Sequence, residues 1–106
     1  MSPTVAAAAE QAEQLKENGN HCFQRNKFSA AIDFYTEAIT LCPNVPVYWT
    51  NRALCHRRRN DWLRLEEDCR RAIQLDHNSV KVCGAVYSLV VAQTVAWHVM
   101  ARITLL

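Results

Sequence analysis

The sequence FSAAIDFYTEAITL, residues 28–41, decides the fold together with WLRLEEDCRRAIQL, residues 62–75, which begins 34 positions later. Both stretches carry apolar or small residues at offsets of three and four, so each presents one apolar stripe when it forms a helix. The same shift aligns Ala38 with Ala72 and Ile39 with Ile73. The two stretches are therefore equivalent parts of a sequence repeat.

The preceding segments match under the same shift, with Leu15 over Trp49 and Gly19 over Ala53. A period of 34 residues is typical of tetratricopeptide (TPR) arrays, in which every repeat is an antiparallel pair of helices. Short polar connections between the paired segments suit such hairpins. The sequence predicts helices near residues 12–25, 28–41, 46–59 and 62–75, with the small residue Gly19 at a close approach between helices.

The predicted fold is all-α: a TPR helix-turn-helix array with two clear repeats and an irregular, incomplete third. We divide the chain into an N-terminal extension (residues 1–11), repeats 1 and 2 (residues 12–79) and a divergent third-repeat or tail segment (residues 80–106). Repeats are stabilised by their neighbours, and about three are usually needed. We therefore expect a marginally stable chain, or one that relies on a bound peptide or on a homodimer.

Composition limits the function classes. The net charge of +2 gives no sign of nucleic-acid binding, and the N-terminus lacks a signal-peptide pattern, so we expect a cytoplasmic protein. No phosphate-binding loop or nucleophile motif occurs, and we expect no catalytic residue, cofactor or metal. The cysteines lack the close pairing of a zinc site, and we expect free thiols that pack as small hydrophobes. They are Cys22, Cys42, Cys55, Cys69 and Cys83.

Two charged runs have plain structural interpretations. The acidic run 66–68 is expected to form a solvated helix face beside Arg70 and Arg71. The basic run 56–59 falls at a predicted helix end, where cations favour the helix dipole. A nucleic-acid patch is the alternative for the basic run, but no aromatic residues interleave there for base stacking.

A third set of polar residues suits the binding of carboxylates. Lys16 and Asn20 take positions five and nine of a repeat numbered from residue 12, Asn51 takes position six of the next, and Lys81 takes position two of the third. These positions share one face of each first helix, and stacked repeats line a concave groove with that face. Lysine supplies charge and asparagine supplies N–H donors. Spacing alone does not separate this site from ordinary exposed residues.

Three stretches, LKENGN (15–20), VYWTNRALC (47–55) and EEDCRRAIQLDHNSVK (66–81), resemble the TPR domain of the CHIP family of chaperone-associated U-box ubiquitin ligases, in its plant form. The resemblance implies a carboxylate clamp that grips the terminal Glu-Glu-Val-Asp of cytosolic heat-shock chaperones. Its clamp positions match Lys16, Asn20, Asn51 and Lys81. The positions that line its apolar pocket match Val47 and Leu54.

The chain departs from the family after Lys81. Gly84 and Ala85 stand where the family has bulky residues, and Tyr87 stands where the third repeat needs a small one. The full-length relatives are E3 ubiquitin-protein ligases, but no residues beyond Lys81 resemble a U-box. We therefore expect no ligase activity from the chain as given.

The segment 82–101 is the basis of one alternative function. Its 20 residues carry no formal charge, which falls in the range of about 17–25 residues for a membrane helix. Its polar residues make it a poor membrane helix. The simpler interpretation is a helix that packs on the second repeat and covers its last apolar face. The leading hypothesis is a co-chaperone-type module. The alternatives are a TPR scaffold that binds another protein without the clamp, and a tail-anchored membrane protein.

Overall fold

Four long helices make up most of the computed structural model, which describes residues 3–84 and Met100. They are α1 (Pro3–Gln24), α2 (Phe28–Leu41), α3 (Pro46–Arg58) and α4 (Trp62–Leu75). A short 3-10 turn at His77–Ser79 follows, and residues 80–84 are again helical. Helix α1 packs on α2, α3 packs on α4, and α2 joins the two pairs through α3. These stacked hairpins confirm the predicted all-α repeat architecture.

The helix bounds agree with the sequence prediction except at the N-terminus. Helix α1 begins at Pro3 instead of near residue 12, so residues 3–11 continue the first helix of repeat 1. Alanine has the highest helix propensity, and residues 6–9 are all alanine. Proline is tolerated in the first turn of a helix because the N–H that it lacks has no partner there.

Both hairpin turns contain an asparagine in the left-handed region, with φ of 61° at Asn26 and 58° at Asn60. Asparagine adopts this conformation more readily than other residues that carry a side chain. After the second turn, the Asp61 carboxylate accepts a hydrogen bond from the backbone N–H of Arg64 at 3.3 Å and caps α4. The two short connections therefore reverse the chain as the sequence predicts.

The core consists of small and medium apolar side chains between the helices. One layer lies inside the first hairpin and against α3, and another lies between α3, α4 and residue 83. The buried clusters are Ala12, Ala38, Ile39 and Tyr48; Ala31, Tyr35 and Cys55; and Ala53, Leu65, Cys69 and Cys83. The stripe that the sequence predicts for α2 and α4 supplies most of these residues.

Gly19 marks the closest approach of α1 and α2. A Cβ atom at Gly19 would lie 2.6 Å from Cε1 of Tyr35, whose hydroxyl is held by Asn20. We expect Gly19→Ala to destabilise the chain by a net of about 1–2 kcal/mol, because the overpacking cost exceeds the gain in helix propensity. Urea unfolding measures the change.

Gly84→Ala is the matched control, since a Cβ atom at Gly84 would have no neighbour within 4 Å among the described residues. It gains helix propensity without overpacking and should be neutral or stabilising. Equal effects of the two substitutions on the free energy of unfolding would contradict the close approach at Gly19.

Asp68 corrects the prediction for the acidic run, because it is buried and not part of a solvated face. Its carboxylate accepts hydrogen bonds from Arg52 Nη2 at 2.7 Å and from Arg52 Nε at 2.8 Å. The physical reason is its register: Asp68 follows Leu65 by three residues and precedes Ala72 by four, so it faces α3. Glu66 does pair with Arg70 across one helical turn, as expected.

His56 also departs from the prediction for the basic run, since it is buried and its Nε2 lies 3.3 Å from Asp68 Oδ2. Burial alone would raise the pKa of the Asp68 carboxyl, but hydrogen bonds from Arg52 and His56 outweigh it and hold this pKa below its usual value. The network of Arg52, His56 and Asp68 therefore joins α3 to α4 inside repeat 2.

The cysteine prediction is wrong for one pair. Cys69 and Cys83 form a disulfide, with 5.9 Å between their Cα atoms. Helical residues 80–84 return Cys83 to α4, a contact that spacing along the chain does not reveal. Cys22, Cys42 and Cys55 are free, as expected. Within residues 3–84, no group of histidine, cysteine or acidic side chains is arranged to hold a metal ion.

Most of the divergent tail, including Ala85 and Tyr87, lies outside the described residues. The same holds for most of the segment 82–101 that raised the membrane alternative. Among the helices that the structure describes, none has the length and hydropathy needed to cross a bilayer.

Candidate functional site

Two of the predicted clamp residues meet where α1, α2 and α3 converge. The Asn20 side-chain oxygen accepts hydrogen bonds from the Tyr35 hydroxyl at 2.5 Å and from Asn51 Nδ2 at 3.2 Å. Burial raises the pKa of Tyr35, which keeps its hydroxyl protonated as a donor. The structure thus brings Asn20 and Asn51 together, and a buried tyrosine fixes their arrangement.

This arrangement leaves amide donors for a ligand. With its oxygen occupied by Tyr35 and Asn51, Asn20 still has both N–H groups of its amide, and Asn51 keeps one. No acceptor in the described part of the chain takes the Asn20 amide nitrogen. Carboxylate oxygens are suitable acceptors for such fixed N–H groups.

An apolar wall completes a cleft of about 80 Å³ beside these amides. The predicted residue Leu54 lines it, and so does Phe23, which the sequence interpretation did not include. Phe23 follows Asn20 by three residues, as Leu54 follows Asn51 by three. That repeated offset of a polar and an apolar residue was the available signal for Phe23.

Lys16 lies one helical turn before Asn20 and is partly buried. Its ammonium nitrogen lies 2.9 Å from Glu13 Oε2 and 3.5 Å from Glu17 Oε1. The hydrogen bond to Glu13 is the main cause that raises the pKa of Lys16, so the side chain is charged at neutral pH. A ligand carboxylate would therefore compete with two glutamates for this charge, a feature that the sequence prediction omitted.

Glu13 connects Lys16 to repeat 2. It accepts a hydrogen bond from the Tyr48 hydroxyl on α3 at 2.6 Å, and this bond, followed by the one from Lys16, lowers the pKa of Glu13. The Tyr48 ring is almost fully buried. The contact therefore orients Lys16 relative to α3.

Two predicted residues lie apart from the cleft. Val47 is 40% exposed on α3, one turn before Asn51, and Lys81 is exposed on the helical residues after α4. Neither lines the cleft that holds Asn20 and Leu54. The described side chains thus bring together three of the six predicted residues, with Lys16 one turn away.

The end of the basic run has structural contacts. The Arg58 guanidinium lies over the rings of Phe23 at 5.7 Å and Phe28 at 5.9 Å. Arg59 Nη1 donates to Ser29 Oγ at 2.9 Å. These contacts tie the end of α3 to the first hairpin, which supports the structural interpretation over a nucleic-acid patch.

A second cleft, about 220 Å³ in volume, lies beside the Arg52–Asp68 pair. Its central charges already satisfy one another, and Arg52 also donates to Thr36 at 3.1 Å. A buried pair that is fully hydrogen-bonded holds the helices in place and offers little to a ligand. The cleft at Asn20 is therefore the better candidate site.

No protein-family model matches the sequence. It is 69% identical over 77 residues to the E3 ubiquitin-protein ligase CHIP of Arabidopsis thaliana, an alignment that covers 73% of this chain and 28% of the ligase. It is also 41% identical over 80 residues to the Translocon at the outer membrane of chloroplasts 64 of Pisum sativum. That alignment covers 76% of this chain and 14% of the relative. The chain thus spans less than a third of either relative.

Solved structures of similar shape are TPR domains. One is the first TPR of Spaghetti (RPAP3) bound to the HSP90 peptide SRMEEVD, with a TM-score of 0.68 and 36% identity, covering 70% of this chain and 59% of that one. The similarity confirms the predicted TPR fold, and the stretch shared with the ligase is its TPR region. Nothing in the comparisons supports the homodimer or the membrane-anchored alternative.

Proposed function

We propose, from the premise that this chain carries a TPR domain, that it is a co-chaperone-type module for the acidic C-terminal tail of heat-shock chaperones. The observation that carries the proposal is the Asn20–Tyr35–Asn51 network, which presents fixed amide donors beside an apolar cleft. A domain of the same fold, 36% identical, is bound to a peptide that ends in Glu-Glu-Val-Asp.

The proposed binding mode assigns each group of the ligand to a part of the site. The terminal carboxylates take the amide N–H groups of Asn20 and Asn51 and the charge of Lys16. The valine side chain of the ligand lies against Phe23 and Leu54, where it leaves water. Lys81 would supply a second ammonium group to the acidic residues farther from the terminus, and Val47 an apolar contact, as the CHIP resemblance implies.

The wider role follows from the relative. We propose that the module acts in the cytoplasm in protein quality control, as the chaperone-binding part of a CHIP-type system. A TPR domain is not itself an enzyme, and the aligned stretch covers only 28% of the ligase. Ubiquitin transfer is therefore not part of the function proposed for these helices.

A competition pull-down tests this proposal. The immobilised chain is incubated with cytosol, with and without free SRMEEVD peptide. A second peptide that lacks the terminal aspartate serves as the control. Chaperones should be retained and then released by the intact peptide only. Retention of other proteins, unaffected by either peptide, would favour a TPR scaffold without the clamp.

A further inference from the structure

The disulfide between Cys69 and Cys83 anchors the segment that carries Lys81. Cys69 lies on α4 and is 2% exposed, and Cys83 is 1% exposed against Ala53 and Leu65. The bond therefore lies in the core, where it joins repeat 2 to the helical residues that follow it.

Residues 80–82 are exposed, although Val82 lines a small cleft with Thr50 and Leu54 of α3. Val80 is 49% exposed and Val82 is 51% exposed, and Lys81 between them is exposed as well. In the described part of this segment, the buried side chains are Ser79 and Cys83. Lys81 lies two residues before Cys83, so the bond to Cys69 and the packing of Cys83 restrict the position of Lys81.

We propose that Cys69 and Cys83 are positioning residues under redox control, which place Lys81 for the acidic peptide when they are bonded and release it when they are reduced. The inference rests on the proposed function and adds regulation of the same site. It requires a segment that moves while the cleft at Asn20 stays intact. Asn20 lies on α1 and Asn51 on α3, and neither belongs to the cluster of Ala53, Leu65 and the two bonded cysteines.

The chemistry is thiol–disulfide exchange with a low-molecular-weight disulfide such as oxidised glutathione. One cysteine thiolate attacks a sulfur of glutathione disulfide and displaces one glutathione. The second cysteine thiolate attacks the resulting mixed disulfide and displaces the other. Two cysteine thiols lose two electrons and two protons in total, and one glutathione disulfide becomes two glutathione thiols. Reduction runs in reverse when residues 80–84 open locally.

The geometry of this pair suits the exchange. The separation of 5.9 Å between the Cα atoms suits a disulfide. Cys55 is the other fully buried cysteine, and burial raises its pKa to about 12, which leaves almost no thiolate to react. Cys55→Ala is therefore a suitable control variant.

Calorimetric titration of the full chain with SRMEEVD peptide, after equilibration with oxidised or reduced glutathione, tests the proposal. The oxidised form should bind about three- to tenfold more tightly, the range expected for one partly solvated charge-assisted contact. Cys83→Ala should bind like the reduced form in both buffers. Cys55→Ala should keep the redox difference.

Lys81→Ala separates positioning from general stabilisation. If the disulfide acts through Lys81, the affinity difference between the redox forms disappears in this variant, whereas an effect on overall stability would persist. Hydrogen exchange of the amides at residues 80–84 should also be faster in the reduced form.

Three outcomes would overturn the inference. They are equal affinity of the two redox forms, a redox difference that survives Lys81→Ala, and unchanged hydrogen exchange. Equal, measurable affinity in both forms would leave the proposed function standing. Absence of peptide binding in both the oxidised and the reduced form would contradict the proposed function as well.

Discussion

Replacing Asp68 with alanine is expected to lower the free energy of unfolding by about 3–5 kcal/mol, the usual effect of removing one partner of a buried ion pair. The Asp68 side chain is 4% exposed and that of Arg52 is 18% exposed, so the arginine would be left largely desolvated without its carboxylate. Urea unfolding followed by circular dichroism measures the loss. A small domain has only about 5–15 kcal/mol of stability in total.

Glu67→Ala is the matched control, since it removes a neighbouring carboxylate that is exposed on α4. Surface changes of this kind usually stay within about 0.5 kcal/mol. If Asp68→Ala were as mild as Glu67→Ala, the network with Arg52 and His56 would not stabilise the fold, and the assignment of Asp68 to the core would be wrong.

The lowered pKa of Asp68 gives this stabilisation a pH dependence. A carboxylate whose pKa is depressed in the folded state stabilises the fold above its unfolded pKa, and this stabilisation is lost as the pH falls through the folded value. The difference in stability between the unmodified chain and Asp68→Asn should therefore depend on pH in the acidic range. It should shrink below about pH 4, the unfolded pKa of aspartate.

Replacing Lys16 with alanine is expected to weaken binding of the SRMEEVD peptide by about tenfold or more. A charge-assisted hydrogen bond contributes about 1.5–3 kcal/mol, and a tenfold change in affinity corresponds to about 1.4 kcal/mol. We expect a contribution at the low end of this range because Glu13 and Glu17 already contact the Lys16 ammonium group. The peptide carboxylate must displace these glutamates or share the ammonium group with them.

Lys27→Ala is the control for this measurement. It removes the same side chain and the same charge from an exposed position in the turn between α1 and α2. It should act on the peptide only through the diffuse field, which salt screens. Arg58 is a poorer control, because it stacks on Phe23 in the wall of the cleft. Equal losses for Lys16→Ala and Lys27→Ala would contradict a local role for Lys16.

The sequence predicted the repeats well because their signals are local and periodic. The stripes on α2 and α4 and the small residue at Gly19 follow from spacing alone, and the structure bears them out. The meeting of Asn20 with Asn51 required one more step, the stacking of equivalent helices in a TPR array. Their contact was therefore accessible from the sequence once the period was recognised.

Other features depend on contacts that periodicity does not encode. Asp68 lies on the apolar stripe of α4, but a charged residue there is predictable only when Arg52 on the facing helix is known to pair with it. The Cys69–Cys83 bond depends on how residues 80–84 pack on α4. The ion pair between Glu13 and Lys16 depends on the conformations of both side chains. Their spacing of three residues permits this pair but does not determine it.

The proposed carboxylate clamp is tested most directly by calorimetric titration of the unmodified chain with two forms of SRMEEVD, one with a free C-terminal carboxylate and one with a C-terminal amide. The two peptides differ only in the group that Asn20, Asn51 and Lys16 are proposed to hold. We expect saturable binding of the free acid, with the amide at least about tenfold weaker. Equal affinity for the two peptides, or no binding of the free acid, would contradict it.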